Sequence, residues 1–216
     1  MNDFQFSVVD AQAKAHAASP TIRFTLAIRC EGAPVEAIVL RTQIRIEPQW
    51  RSYEAAEQEL LVDLFGTPDR WNTTLHALAW ADVPVMVPAF DGETQVGVAV
   101  PCTYDFDVAA TRFFSALSGG EIPLRFLFSG SVFRRADQSF TVEMVSWSSE
   151  CAYRMALQVW RSAMNACYGD SALLRVNGEM FEQLRRVRAK IGAHTWEQTF
   201  AHLLTDYGEL SRSTLT

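Results

Sequence analysis

Residues Ile122–Met144 read Ile-Pro-Leu-Arg-Phe-Leu-Phe-Ser-Gly-Ser-Val-Phe, then a polar Arg-Arg-Ala-Asp-Gln-Ser, then Phe-Thr-Val-Glu-Met. Side chains alternate across an extended strand, so Leu124, Phe126, Phe128, Gly130 and Val132 share one face. Beyond the polar turn, Phe140, Val142 and Met144 repeat the alternation. The pattern predicts a β-hairpin with one buried face, the inner wall of an antiparallel sheet.

Working outward, residues 4–10 and 20–30 also alternate, with Phe4, Phe6 and Val8, then Ile22, Phe24, Leu26 and Ile28 on one face. Glu31-Gly32-Ala33-Pro34 interrupts the ladder as a turn. A third strand runs from about Val35 to Pro48, with Leu40, Thr42, Ile44 and Ile46 inward and Arg41, Gln43, Arg45 and Glu47 outward. At residues 53–65 the period changes to that of a helix, stopped by Gly66 and Pro68, with Glu54, Glu57 and Asp63 expected in solvent. Two short strands are expected between Leu75 and Val87, where Pro84 and Pro88 restrict pairing. Val96, Val98 and Val100 mark a further strand. Residues 101–117 fit either period, and we expect a strand to about Ala110 followed by one helical turn.

From about Ala152 the period is helical. Leu157, Trp160, Met164 and Cys167 form one stripe, and Phe181, Leu184, Val187 and Ile191 form another, ended by Gly192. Thr195 with Gln198 is a capping box for a third helix. The expected architecture is α+β. An antiparallel β-sandwich of seven or eight strands spans residues 1–150 with one crossover helix, and a three-helix C-terminal region over 151–216 packs on it.

With 216 residues, 49% of them hydrophobic and 20% charged, the chain can bury roughly 70% of its unfolded surface without disulfide staples. A net charge of −6 gives the chain as a whole no attraction for nucleic acid or anionic lipid. The N-terminus lacks a basic start and apolar run, and no later stretch nears the ~20 apolar residues of a membrane helix. These features predict a cytoplasmic protein. Its four cysteines, Cys30, Cys102, Cys151 and Cys167, contain no Cys-x-x-Cys pair and are expected as small buried apolar residues.

No zinc-type histidine spacing, nucleophile elbow, Walker loop or dinucleotide fingerprint occurs, so neither metal nor cofactor is expected. Cys102-Thr-Tyr104-Asp105-Phe-Asp107 places a thiol, a phenol and two carboxylates together, which could bind a small ligand or serve acid–base chemistry. Such aspartates more often cap backbone N–H groups. The outward Arg41 and Arg45 could hold an anionic ligand or a partner's acidic patch, though such a row is more often only the solvated face of a sheet.

Residues 175–190 carry five basic and two acidic residues, net +3, among them Arg185 and Arg188. With the preceding Leu173–Val176 run they outline a ribbon-helix-helix-like DNA reader. The alternative is the solvent face of an amphipathic helix, with Arg185 and Arg188 open to a protein partner.

Several runs, Leu40-Arg-Thr-Gln-Ile-Arg-Ile-Glu-Pro, Leu64-Phe-Gly-Thr-Pro-Asp-Arg-Trp, Val100-Pro-Cys-Thr-Tyr-Asp-Phe-Asp-Val-Ala-Ala and Gly120-Glu-Ile-Pro-Leu-Arg-Phe-Leu-Phe-Ser-Gly, resemble an uncharacterised bacterial family. That domain of unknown function is associated with operons for actinobacterial-type [NiFe]-hydrogenases. The resemblance implies an accessory or maturation role and a hydrogenase subunit as protein partner. It assigns no catalytic residue. The cysteine spacing does not suit an iron–sulfur carrier.

Overall fold

The computed structural model describes residues 4–103, 105, 108–136, 139–169, 171 and 174–213, the side chains of 136, 140 and 209–213 excepted. The chain forms two compact units, Met1–Leu173 and Leu174–Thr216.

The first unit is an α+β antiparallel sandwich. One sheet has the order β1 (Phe4–Ala13), β2 (Thr21–Cys30), β5 (Glu93–Pro101). The other has the order β4 (Leu78–Val87), β3 (Ala37–Ile46), β6 (Glu121–Ala136). The 16-residue β6 is shared between two partners: its first half pairs with β8 (Glu150–Ala156) and its second with β7 (Ser139–Met144). The inner faces meet through fully buried Ile22, Phe24, Leu26 and Ile28 on one side and Leu40, Ile44, Leu124 and Phe126 on the other. Phe24 meets Phe126 edge-on at 5.1 Å and Phe6 stacks on Phe128 at 4.4 Å. Each such burial contributes about 1.5–3 kcal/mol, which is why the alternation dictates which face turns inward.

Helix α1 (Ala55–Phe65) and the short α2 (Trp71–Thr74) connect β3 to β4, and α3 (Ala109–Ala116) connects β5 to β6. Helix α4 (Leu157–Tyr168) follows β8 and buries Leu157, Trp160, Ala163 and Met164. A line of rings runs through the core, with Phe24 edge-on to Trp80 at 6.0 Å, Trp80 edge-on to Phe114 at 5.2 Å, and Phe114 tilted against Trp160 at 5.5 Å. Among the described residues no helix is long and apolar enough to cross a membrane.

Four expectations are corrected. Residues 109–116 are helical, because Ala110, Phe113, Phe114 and Leu117 meet the core at helical spacing. Residues 150–156 are a strand, not the start of a helix: Cys151, Tyr153 and Met155 alternate inward, and the long β6 offers them a free edge. Strand β8 and helix α4 belong to the first unit, which runs to Leu173. Residues 78–87 are a single strand. Pro84 is tolerated because β4 is an edge strand, paired among the described strands with β3 alone. Glu47 and Glu57 are buried, where solvent was expected.

The second unit holds α5 (Gly178–Ile191) and α6 (Trp196–Ser213). Asn177 Oδ1 accepts from the Met180 N–H at 2.8 Å, and Gly192 takes the left-handed conformation that ends α5. The expected box is present: the Gln198 N–H donates to Thr195 Oγ1 at 3.2 Å, and the Thr195 N–H donates to Gln198 Oε1 at 3.4 Å. Phe181, Trp196 and Phe200 pack together between the helices.

Candidate functional site: the outer face of the five-stranded sheet

The register of the central hairpin creates this surface. Ser131 pairs with Met144, Phe133 with Val142 and Arg135 with Phe140, so even-numbered residues of β7 stand beside odd-numbered residues of β6. Directly opposed residues share a face. The apolar set of β7 consequently points away from the core that receives Phe126 and Phe128, and the expected inward placement of Val142 and Met144 is overturned. The side chain of Phe140 lies outside the described residues.

Across the sheet, Met86 on β4 pairs with Val39 on β3, Val39 with Ser131 on β6, and Ser131 with Met144 on β7. This row carries Val39 at 46%, Met86 at 65% and Met144 at 73% exposure, with Val142 beside it and Trp147 at 93% in the following turn. Two shallow depressions meet at Ser129, Gly130 and Met144. One, of about 740 Å³, extends to Val39, Arg41 and Pro84. The other, of about 920 Å³, extends to Phe4 and Trp147. Gly130 has φ of +153° and lies directly over the β3 backbone, which keeps the floor between them flat.

Toward the opposite end the face becomes polar. Arg41 lies where its alternation placed it, and its Nε and Nη2 clasp Asp82 at 2.8 and 2.6 Å. That hydrogen-bonded pairing raises the Arg41 pKa and holds the Asp82 carboxyl below the usual carboxylate range. Arg45 Nη2 donates to Gln43 Oε1 at 3.1 Å. Arg125 Nε lies 2.8 Å from the buried Glu47 carboxylate, with its guanidinium 4.7 Å over Trp50.

The other sequence candidates are spent structurally or lie elsewhere. Cys102 is buried, its N–H donates to the Pro20 carbonyl at 2.7 Å, and burial pushes its thiol up to about 12. The Asp105 N–H donates to Thr103 Oγ1 at 3.0 Å, a local turn. Tyr104 and Asp107 lie outside the described residues. Arg185 pairs with Glu182 at 2.9 Å on the exposed face of α5. Arg188 stacks 4.9 Å over Trp196 and donates to the Ala193 and His194 carbonyls, holding the turn between α5 and α6. Residues 174–177 are not a strand, so the ribbon of a ribbon-helix-helix module is missing from the described part of that run. The described residues include no group of three or more His, Cys, Asp or Glu able to hold a metal ion.

Thiol accessibility gives one direct check. Cys30 and Cys102 are buried, Cys151 is half-buried with its thiol pushed by burial up to about 11, and Cys167 is exposed. One thiol per chain is expected to react rapidly with Ellman's reagent at pH 8, and Cys167→Ser should abolish that phase. A second fast thiol in the folded protein would contradict the burial that covers Cys30, Cys102 and Cys151.

The densest polar cluster was not anticipated from the sequence. Glu57 on α1 accepts from the Ser118 N–H at 2.8 Å, Ser118 Oγ at 2.9 Å, Arg51 Nη2 at 3.1 Å and the Glu54 N–H at 3.2 Å. Arg51 in turn donates to the Gly119 and Glu121 carbonyls. Every partner is a group of the fold itself, so the cluster ties α1 to the approach to β6. A buried carboxylate saturated by internal donors is a joint, with no lone pair directed at a substrate.

Comparisons with known proteins add a family. No curated protein matches the chain significantly. Among solved structures, a crystal structure of a protein from Archaeoglobus fulgidus is 10% identical with a TM-score of 0.32, covering 70% of this chain and 97% of that one. β-Glucosidase 3B from Thermotoga neapolitana, in complex with α-D-glucose, is 12% identical with a TM-score of 0.26, covering 71% of this chain and 17% of the enzyme. A β-glucosidase from Kluyveromyces marxianus is 10% identical with a TM-score of 0.24, covering 71% and 15%. A family of unknown function, DUF6084, matches residues 1–212, and the chain belongs to it.

Proposed function

We propose that this protein acts in the cytoplasm as a non-catalytic accessory factor that binds another protein through the outer face of its five-stranded sheet. The observation that carries the reading is the apolar row Met86, Val39 and Met144, flanked by Val142 and by the exposed Trp147. A contiguous apolar surface of this kind is costly to leave in water and marks an interaction site. Methionines adapt to a partner's shape, a tryptophan is a favoured anchor, and the polar end around Arg41 and Arg45 supplies a rim. The sequence resemblance makes a subunit of a [NiFe]-hydrogenase, engaged during assembly or maturation, the partner we propose first.

The test is co-purification of the tagged full-length chain with co-expressed hydrogenase subunits, alongside a Val39→Lys, Met144→Lys double variant. Both substitutions lie on the solvent side of the sheet and should leave the unfolding midpoint nearly unchanged. Wild-type protein should enrich a hydrogenase subunit, and the double variant should lose at least tenfold of that enrichment. Equal capture by both proteins would remove this face from the reading. Capture of no hydrogenase subunit would remove the partner.

A further inference from the structure

The outer face of the three-stranded sheet carries two arginines on β2 with opposite fates. Arg29 is spent on Glu93 at 2.9 Å. Arg23 makes no hydrogen bond or ion pair among the described residues, and neither does the side chain of Lys14. Both line a depression of about 580 Å³, together with Asp10, Gln12, Thr25 and Gly97.

The position of Arg23 is set by a missing side chain. Thr25 pairs with Gly97 across β2 and β5, two positions along from the pair Arg23 with Ala99 and on the same face. A β-carbon at Gly97 would lie 2.5 Å from Arg23 Nε and 2.9 Å from Nη2, so the guanidinium fills the space that any other residue there would claim. It leans toward β5. Asp10 on β1, which pairs with Thr25, is hydrogen-bonded by Gln12 at 2.8 Å and not by Arg23.

We propose that this depression binds a small carboxylate, with Arg23 as the bidentate donor and Lys14 as a supporting cation. A guanidinium offers five N–H donors in a planar fork that matches a carboxylate, and here none of them is accepted by a described residue. The hollow is of ligand size. Asp10 on the same face favours a monoanion over a phosphate dianion, since a second negative charge would face its carboxylate.

The experiment is a titration of the ¹⁵N-labelled full-length chain with sodium acetate, inorganic phosphate and, as the ionic-strength control, sodium chloride. Acetate should shift the Arg23, Thr25 and Gly97 amide resonances saturably, with a midpoint of roughly 1–10 mM, the range an open site with exposed charges allows. Gly97→Ala keeps every charge and occupies the resting place of the guanidinium, and Arg23→Gln removes the fork. Each should weaken acetate binding at least fivefold while the rest of the spectrum stays in place. Should Gly97→Ala disturb the strand, Arg23→Gln alone decides. Linear shifts equal to those with chloride, unchanged binding in Arg23→Gln, or tighter saturation by phosphate would each overturn the assignment.

Discussion

Replacing Gly130 with alanine is expected to destabilise the first unit by about 3–5 kcal/mol, enough to leave a typical domain of this size close to its folding threshold. Gly130 has φ of +153°, which L-residues avoid, and pairs with Leu40 across β3 and β6. An added β-carbon would overlap the Val39 carbonyl oxygen and sit 3.1 Å from Leu40 Cα. Both obstacles are backbone, so no rotamer change relieves them, and β6 would have to lift off β3 in the middle of the sheet. Urea unfolding at pH 7 reads the loss as a drop in midpoint. Gly66→Ala is a useful reference, because Gly66 also has positive φ, at +74°, but has nothing within 4 Å of its β-carbon position. That variant isolates the backbone-strain part, about 1–2 kcal/mol. A Gly130→Ala protein no less stable than Gly66→Ala would show that the close approach of β6 to β3 is wrong. The same change would buckle the floor shared by the two depressions, so any surviving protein should also capture less of the partner proposed for this face.

How far the sequence revealed this arrangement depends on the distance over which the determining force acts. Alternation within one strand is local, and β1, β2, β3 and the inner face of β6 follow from it directly. The parity of β7 against β6 depends instead on the inter-strand register, and a slip of one residue would turn Val142 and Met144 inward. No periodicity in residues 139–144 records that choice. Arg41 could be assigned to an outer face from β3 alone. Its apolar neighbours could not, because Met86, Val39 and Met144 meet only through three inter-strand registers. Strand β8 was legible in principle, since Cys151, Tyr153 and Met155 alternate. The neighbouring helix formers and the long apolar stripe of α4 obscured it.

Glu57 was hidden for a different reason: a glutamate at the third position of a helix is ordinarily a solvated capping residue, and only the tertiary approach of Ser118 and Arg51 buries it. Its side chain is 3% exposed and that of Arg51 is 11% exposed. Glu57→Ala is therefore expected to cost about 3–5 kcal/mol, because it leaves Arg51 Nη2 and the Ser118 donors without their acceptor and the Arg51 charge without its counter-ion in the interior. Glu57→Gln should cost less, since its carbonyl oxygen can still accept from Ser118. The carboxyl also sets an acid limit. Burial by itself would raise its pKa, but the Ser118 N–H and Oγ–H, the Glu54 N–H and the Arg51 charge together outweigh burial and hold it below its ordinary value. A proton then binds the unfolded chain more readily than the folded one. This contribution to stability is full above the unfolded carboxyl pKa of about 4.3 and is lost as pH falls through the lower folded-state value. Urea midpoints measured from pH 7 down to pH 3 should fall more steeply for wild type than for Glu57→Gln, which has no proton to gain at this site. Parallel curves for the two proteins, or a Glu57→Ala penalty under about 1 kcal/mol, would mean that the Arg51–Glu57–Ser118 joint contributes little to holding α1 against the sandwich.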